Sequence, residues 1–105
     1  MKTLSLNEFH KVSQNLEEGD ILLDVRNPEE FEAARIKGAI NIPVGDIPNR
    51  SDELKNYKNI YIYCKRGGRA QIAYQALSSL GYTNITCLAE AGMDAWLENK
   101  FETEN

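Results

Sequence analysis

The chain is poor in the residues that would place it in several functional classes. Its 105 residues hold 2 cysteines (Cys64 and Cys87), 1 histidine (His10), 3 prolines and 1 tryptophan. Two cysteines do not make a disulfide framework, and no CxxC pair is present. With a single histidine and no paired thiols, the ligands of a zinc site are missing. His10 has no acidic or thiol partner nearby in sequence and is expected on the exposed side of the first helix, not as a catalytic base. No apolar run approaches the roughly 20 residues of a membrane helix. Asn7 and Glu8 interrupt the N-terminal segment where a signal peptide would carry its apolar core. The expected location is therefore cytoplasmic, with no membrane partner. Net charge is −4, from 12 basic and 16 acidic residues. That balance argues against nucleic acid or an anionic membrane surface as a general partner.

What is present is ordinary soluble-protein material, 42% hydrophobic and 27% charged. The length suits one domain over residues 1–105, with a core from about 4 to 98 and a tail, 99–105, expected to fray. Strand-like and helix-like segments alternate, which predicts an α/β fold with a largely parallel sheet. Ser5 and Glu8 have capping-box spacing, and Leu6, Phe9 and Leu16 can share one helical face. Ile21-Leu22-Leu23-Asp24-Val25 reads as a buried strand. Asn27-Pro28-Glu29-Glu30 starts a short helix, with Asn27 as cap and Glu30 closing the box. A brief extended segment follows Gly38 and stops at Pro43. Ser51 to about Tyr57 is a helix candidate whose main apolar contact is Leu54. Asn59-Ile60-Tyr61-Ile62-Tyr63 is the clearest strand, being β-branched and aromatic throughout its centre. Ala73, Ala76, Leu77 and Leu80 then form one helical stripe, which Gly81 stops. A strand over 84–88 and a last helix holding Trp96 complete the pattern.

Cys64 stands at the end of the clearest strand, before Lys65-Arg66-Gly67-Gly68-Arg69 and a helix. In open α/β sheets, ligands bind beyond the carboxyl ends of the strands. The paired glycines allow the loop to curl so that successive backbone N–H groups point inward as an anion-binding nest. The helix N-terminus adds its unpaired donors, and Lys65, Arg66 and Arg69 add positive charge to an otherwise acidic chain. Each feature favours a thiolate over a thiol. The residues thus support a nucleophilic Cys64 in an anion-holding loop, without identifying the group it transfers. Cys87, flanked by Ile85, Thr86 and Leu88, is expected to be a core residue. Trp96 is expected to anchor the last helix, and Arg69 to give its backbone N–H to the nest and its side chain to a scaffold ion pair.

Four blocks in order resemble the rhodanese homology domain: Asp24-Val25-Arg26 with Glu30-Phe31; Ile36 to Pro43; the Cys64 loop; and Leu88 to Trp96. Two positions depart from the family pattern, with Arg35 where histidine is usual and Ala91 where a glycine commonly precedes Gly92. The resemblance implies a single rhodanese-like domain, its five-stranded, mainly parallel sheet flanked by helices on both faces. It implies a sulfurtransferase in which Cys64 takes a sulfane sulfur as a persulfide. The donor would be thiosulfate or a related persulfide, possible protein persulfides included, and the acceptor cyanide or a thiol. Lys65, Arg66, Gly67, Gly68 and Arg69 would form the binding loop, with Asp24 and Arg26 in support. That cycle needs no metal and no organic cofactor. Two alternatives stand beside it. One is a non-catalytic binding or regulatory module, against which the retained cysteine and cationic loop argue. The other is a phosphatase or arsenate reductase of the same fold, whose loop has one more residue between cysteine and arginine than the four found here.

Overall fold

Short apolar runs over Asp20–Asp24, Asn59–Tyr63 and Ile85–Leu88 set the architecture. The computed structural model describes residues 1–105. In chain order the elements are β1 (Thr3–Leu4), α1 (Leu6–Gln14), β2 (Asp20–Asp24), α2 (Pro28–Ala33), β3 (Arg35–Ile36) and β4 (Ala39–Asn41). There follow α3 (Ile47–Arg50), β5 (Asn59–Tyr63), α4 (Gly68–Ser79), β6 (Ile85–Leu88), α5 (Met93–Glu98) and β7 (Thr103–Glu104), with short 3₁₀ turns on either side of α3. Five strands form one sheet in the order β1-β6-β5-β2-β4, and every pairing within it is parallel. β5 lies at the centre, paired with β2 over five residues from Asp20↔Asn59 to Asp24↔Tyr63.

Because strand side chains alternate between faces, the sheet has two separate apolar clusters. On one face Leu23, Val25, Ile60, Ile62, Ile85 and Cys87 pack with Ile47 and with Ala70, Ala73 and Leu77 of α4. On the other, Leu22, Tyr63 and Leu88 pack with Phe9 of α1 and with Met93 and Trp96 of α5. Helices therefore cover both faces. The capping boxes read at Ser5/Glu8 and Asn27/Glu30 are both formed.

Four expectations need correction. The helix before β5 begins earlier than Ser51, as α3 at Ile47, because Pro48 suits a first turn and Ile47 is buried; Ser51–Leu54 continues only as a 3₁₀ turn. Leu80 lies beyond the last turn of α4 and is exposed, so the buried stripe ends at Leu77. The C-terminal tail is paired, not frayed: β7 runs antiparallel to β3, with Arg35↔Glu104 and Ile36↔Thr103. Phe101 explains that order, since its ring stacks on His10 at 3.7 Å between centroids and meets Trp96 edge-on. His10 is accordingly half-buried under the tail and not on an open helix face. No helix is long and apolar enough to cross a membrane.

Candidate active site

Alternation along β5 decides where the thiol goes. Ile60, Ile62 and Cys64 turn toward α4, while Tyr63 turns to the opposite face. Cys64 is buried at the carboxyl end of the central strand, and its Sγ accepts hydrogen bonds from the backbone N–H groups of Gly67 (3.0 Å) and Ala70 (3.3 Å). Two backbone donors converge on the sulfur, one from the loop and one from the first turn of α4. The sulfur opens into a shallow cavity of about 320 Å³ lined by Cys64, Lys65, Arg66, Gly68 and Arg69.

The curl of the loop rests on two glycines for different reasons. Gly67 has φ +110°, a conformation that costs glycine little, and a Cβ there would lie 1.9 Å from the Ala89 carbonyl oxygen. Gln71 donates its side-chain amide to that same carbonyl at 2.9 Å, tying α4 to the end of β6. Gly92 is extended, and its requirement is purely steric: a Cβ would lie 2.3 Å from the Cys64 carbonyl oxygen. That close approach lets Met93 and Asp94 donate their N–H groups to the carbonyls of Cys64 (2.8 Å) and Lys65 (3.1 Å). The start of α5 therefore engages the loop's first two carbonyls, while N–H groups further along face the sulfur.

The cations differ in freedom. Arg69 is clamped to Glu30 by two hydrogen bonds, of 2.7 and 3.2 Å. Glu30 also accepts from the Asn27 N–H, so one carboxylate caps α2 and holds the loop arginine. Hydrogen bonding from Arg69 outweighs burial and, with the Asn27 amide, brings the Glu30 carboxyl down to about 2. Arg66 pairs with Asp94 at 2.9 Å on the surface, and Lys65 is exposed with no ion pair.

Asp24 and Arg26 lie at the end of β2 and do not line the cavity. They are buried and bind each other, with Arg26 Nη2 also donating to the Ala34 carbonyl at 2.7 Å. Asn41 donates to the carbonyls of both residues. This network fixes the β2–α2 corner from which Glu30 reaches Arg69. Cys87 sits fully buried on the Cys64 face, where burial foremost, then the Cys64 charge, push its thiol up to about 12. Burial likewise raises the Tyr63 phenol, whose oxygen accepts from the Ile36 N–H. No three His, Cys, Asp or Glu side chains come together as a metal-ligand set.

Of the expected loop, Cys64, Lys65, Arg66, Gly68 and Arg69 line the cavity and Gly67 donates to the sulfur. The second donor is Ala70 and not the Arg69 N–H. Sequence reasoning missed Gly92 as a contact surface and Glu30 and Asp94 as partners of the loop arginines. The capping box at Glu30 and the acidic first turn of the last helix were the available signals, and neither specifies a partner 28 to 39 residues away.

The family model described as Rhodanese-like domain matches residues 8–99. The uncharacterized protein YqhL of Bacillus subtilis (strain 168) is 38% identical over 96 residues, covering 91% of this chain and 72% of that one. A protein of Allochromatium vinosum named sulfurtransferase is 32% identical over 91 residues, covering 85% of this chain and 84% of that one. The solved structure of the human single-domain sulfurtransferase TSTD1 superposes with a TM-score of 0.75 at 28% identity, covering 93% of this chain and 96% of that one.

Proposed function

Since the chain belongs to the rhodanese-like domain family, we propose that it is a sulfurtransferase that carries sulfane sulfur on Cys64. The donor is thiosulfate or a related persulfide, on a small molecule or on a protein, and the acceptor is cyanide or a thiol. The observation that carries this reading is the pair of backbone N–H groups, from Gly67 and Ala70, converging on a cysteine sulfur at the floor of a cationic cavity.

In the first half-reaction the Cys64 thiolate attacks the outer sulfur of thiosulfate. The donor's S–S bond breaks, both its electrons leave with sulfite, and Cys64 holds a persulfide anion. In the second, cyanide or a thiolate attacks the outer sulfur and the Cys64 thiolate is regenerated, a two-step covalent cycle. The Gly67 and Ala70 amides stabilise negative charge on sulfur at close range. Lys65 and Arg66, at the cavity mouth, are the side chains long enough to meet a sulfonate. Arg69 serves as a brace through Glu30, and Asp24 with Arg26 holds the corner behind it. Four residues between Cys64 and Arg69 enclose a single sulfur more closely than a phosphoryl group, which favours sulfur transfer over phosphate chemistry.

Intact-mass measurement after incubation with thiosulfate should find one added sulfur atom in the native chain and none in Cys64→Ser, which retains Cys87. Cys87→Ala should still take up sulfur. A folded Cys64→Ser protein that loads sulfur as the native chain does would refute the mechanism.

A further inference from the structure

The three cations beside Cys64 do not offer equal charge to an arriving anion. Arg69 is held by a bidentate pair with Glu30 whose side chains are each about three-tenths exposed, at 30% and 28%. Arg66 is held differently. Its Nε donates to Asp94 Oδ2 at 2.9 Å, with the two side chains 78% and 37% exposed. Asp94 is itself placed by the loop, because its backbone N–H donates to the Lys65 carbonyl at 3.1 Å. A short side chain on a pinned backbone thus sets a carboxylate beside the second cation of the mouth. Glu90 and Glu98 line the same recess as Lys65, Arg66 and Asp94, so this flank of the mouth is acidic.

Resting on sulfur transfer through Cys64, we propose that Asp94 is a positioning residue that sets donor specificity by withholding Arg66 from the cavity mouth. Exposed ion pairs are weak and exchange with solvent. Arg66 is therefore shared between Asp94 and any anion at the mouth, and the Asp94 carboxylate competes directly with the sulfonate of a donor. The competition is strongest against a dianion such as thiosulfate and weaker against a monoanionic persulfide, which enters sulfur-first and needs less charge at the rim. Asp94 shifts preference away from small dianionic donors toward persulfides. The Glu30–Arg69 pair cannot act in this way, because its two hydrogen bonds and lower exposure fix it as scaffold.

The test measures each half-reaction separately by rapid mixing. Asp94→Asn removes the charge and keeps the backbone N–H that holds the Lys65 carbonyl. It should raise the second-order rate constant for loading from thiosulfate about threefold to tenfold at low ionic strength. The gain should shrink toward unity near 1 M salt, where charges are screened within about 3 Å. Loading from the monoanionic persulfide of mercaptoethanol, whose outer sulfur passes to Cys64 as the mercaptoethanol thiolate leaves, should change by less than about twofold. So should discharge of the loaded protein to dithiothreitol, which attacks as a monoanionic thiolate, since screening acts more weakly on a single charge. Asp94→Ser should reproduce the gain, and Asp94→Glu should retain native behaviour. In an Arg66→Ala background most of the gain from Asp94→Asn should vanish. Equal acceleration of both donors, an undiminished gain without Arg66, or unchanged thiosulfate loading would overturn the proposal while leaving sulfur transfer intact. A native chain that takes sulfur from neither donor would overturn both.

Discussion

Gly92 touches Cys64 through backbone alone, so its importance is invisible in side-chain chemistry. A Cβ would fall 2.3 Å from the Cys64 carbonyl oxygen and 2.5 Å from the Lys65 carbonyl carbon, both atoms of the main chain that no rotamer change can move aside. Gly92→Ala should therefore separate α5 from the loop and cost about 1–3 kcal/mol, the usual range for overpacking. Urea denaturation checks the stability, and the same variant should load sulfur more slowly. A fully stable, fully active Gly92→Ala protein would mean that the approach of α5 to the loop is not required. Cys64 itself was legible because all its local signals are sequence neighbours: the strand before it, the glycines and cations after it. Gly92 was not, since the contact that defines it is made 28 residues away. The same distance hides the Asp94 partner of Arg66 from a reading of the sequence.

At the scale of elements, α2 and the cysteine loop are joined by one carboxylate. Glu30 caps α2 at the Asn27 N–H and clamps Arg69 with the rest of its hydrogen-bonding capacity. Its folded-state carboxyl, at about 2, lies below the ordinary carboxylate range, so the clamp adds stability above that range. As pH falls from about 4.5 to about 2, Glu30 is protonated and the contribution is lost. Glu30→Gln should be less stable than the native chain by about 1 kcal/mol near neutrality, in keeping with a well-formed, partly exposed pair. The gap should close toward pH 2. Denaturation midpoints of both proteins across that range test this, and a gap that stays constant would show that charge is not what Glu30 contributes. The capping signature made the start of α2 readable in sequence. β3 and β7 were not readable, because two-residue strands containing Arg35 and Glu104 carry no alternation long enough to detect. The helix before β5 was misplaced for a related reason: Leu54 drew it toward itself, although Pro48, three residues before Ser51, marks the first turn.

For the whole molecule, the sheet separates the chemistry from much of the stability. Cys64 belongs to the cluster under α4, whereas the tail closes over the cluster formed with α1 and α5. Phe101 packs on Trp96 and His10 on that second face, and the Trp96 indole N–H donates to the Glu102 carbonyl at 3.0 Å. Phe101→Ala should destabilise the fold by about 1–2 kcal/mol, less than the cost of truncating a fully buried phenylalanine. Sulfur loading by the folded variant should be unchanged. Thermal unfolding and intact-mass loading measured on one sample make the comparison, and a loading defect in stable protein would show that the two faces communicate. The α/β class and the parallel sheet were legible because strand and helix periodicities alternate cleanly. The docked tail was not, since its Glu- and Asn-rich composition resembles a frayed end until the aromatic partners of Phe101 are known.

The bonds from Met93 and Asp94 to the carbonyls of Cys64 and Lys65 also order events in time. A chain emerging from the ribosome contains its cysteine well before it contains the amides that pin the cysteine's loop. β6, which flanks β5, and β1, which pairs only with β6, impose the same delay. Until Met93 and Asp94 have been made, the nascent Cys64 thiol has no finished nest around it, and the loop is pinned only together with α5.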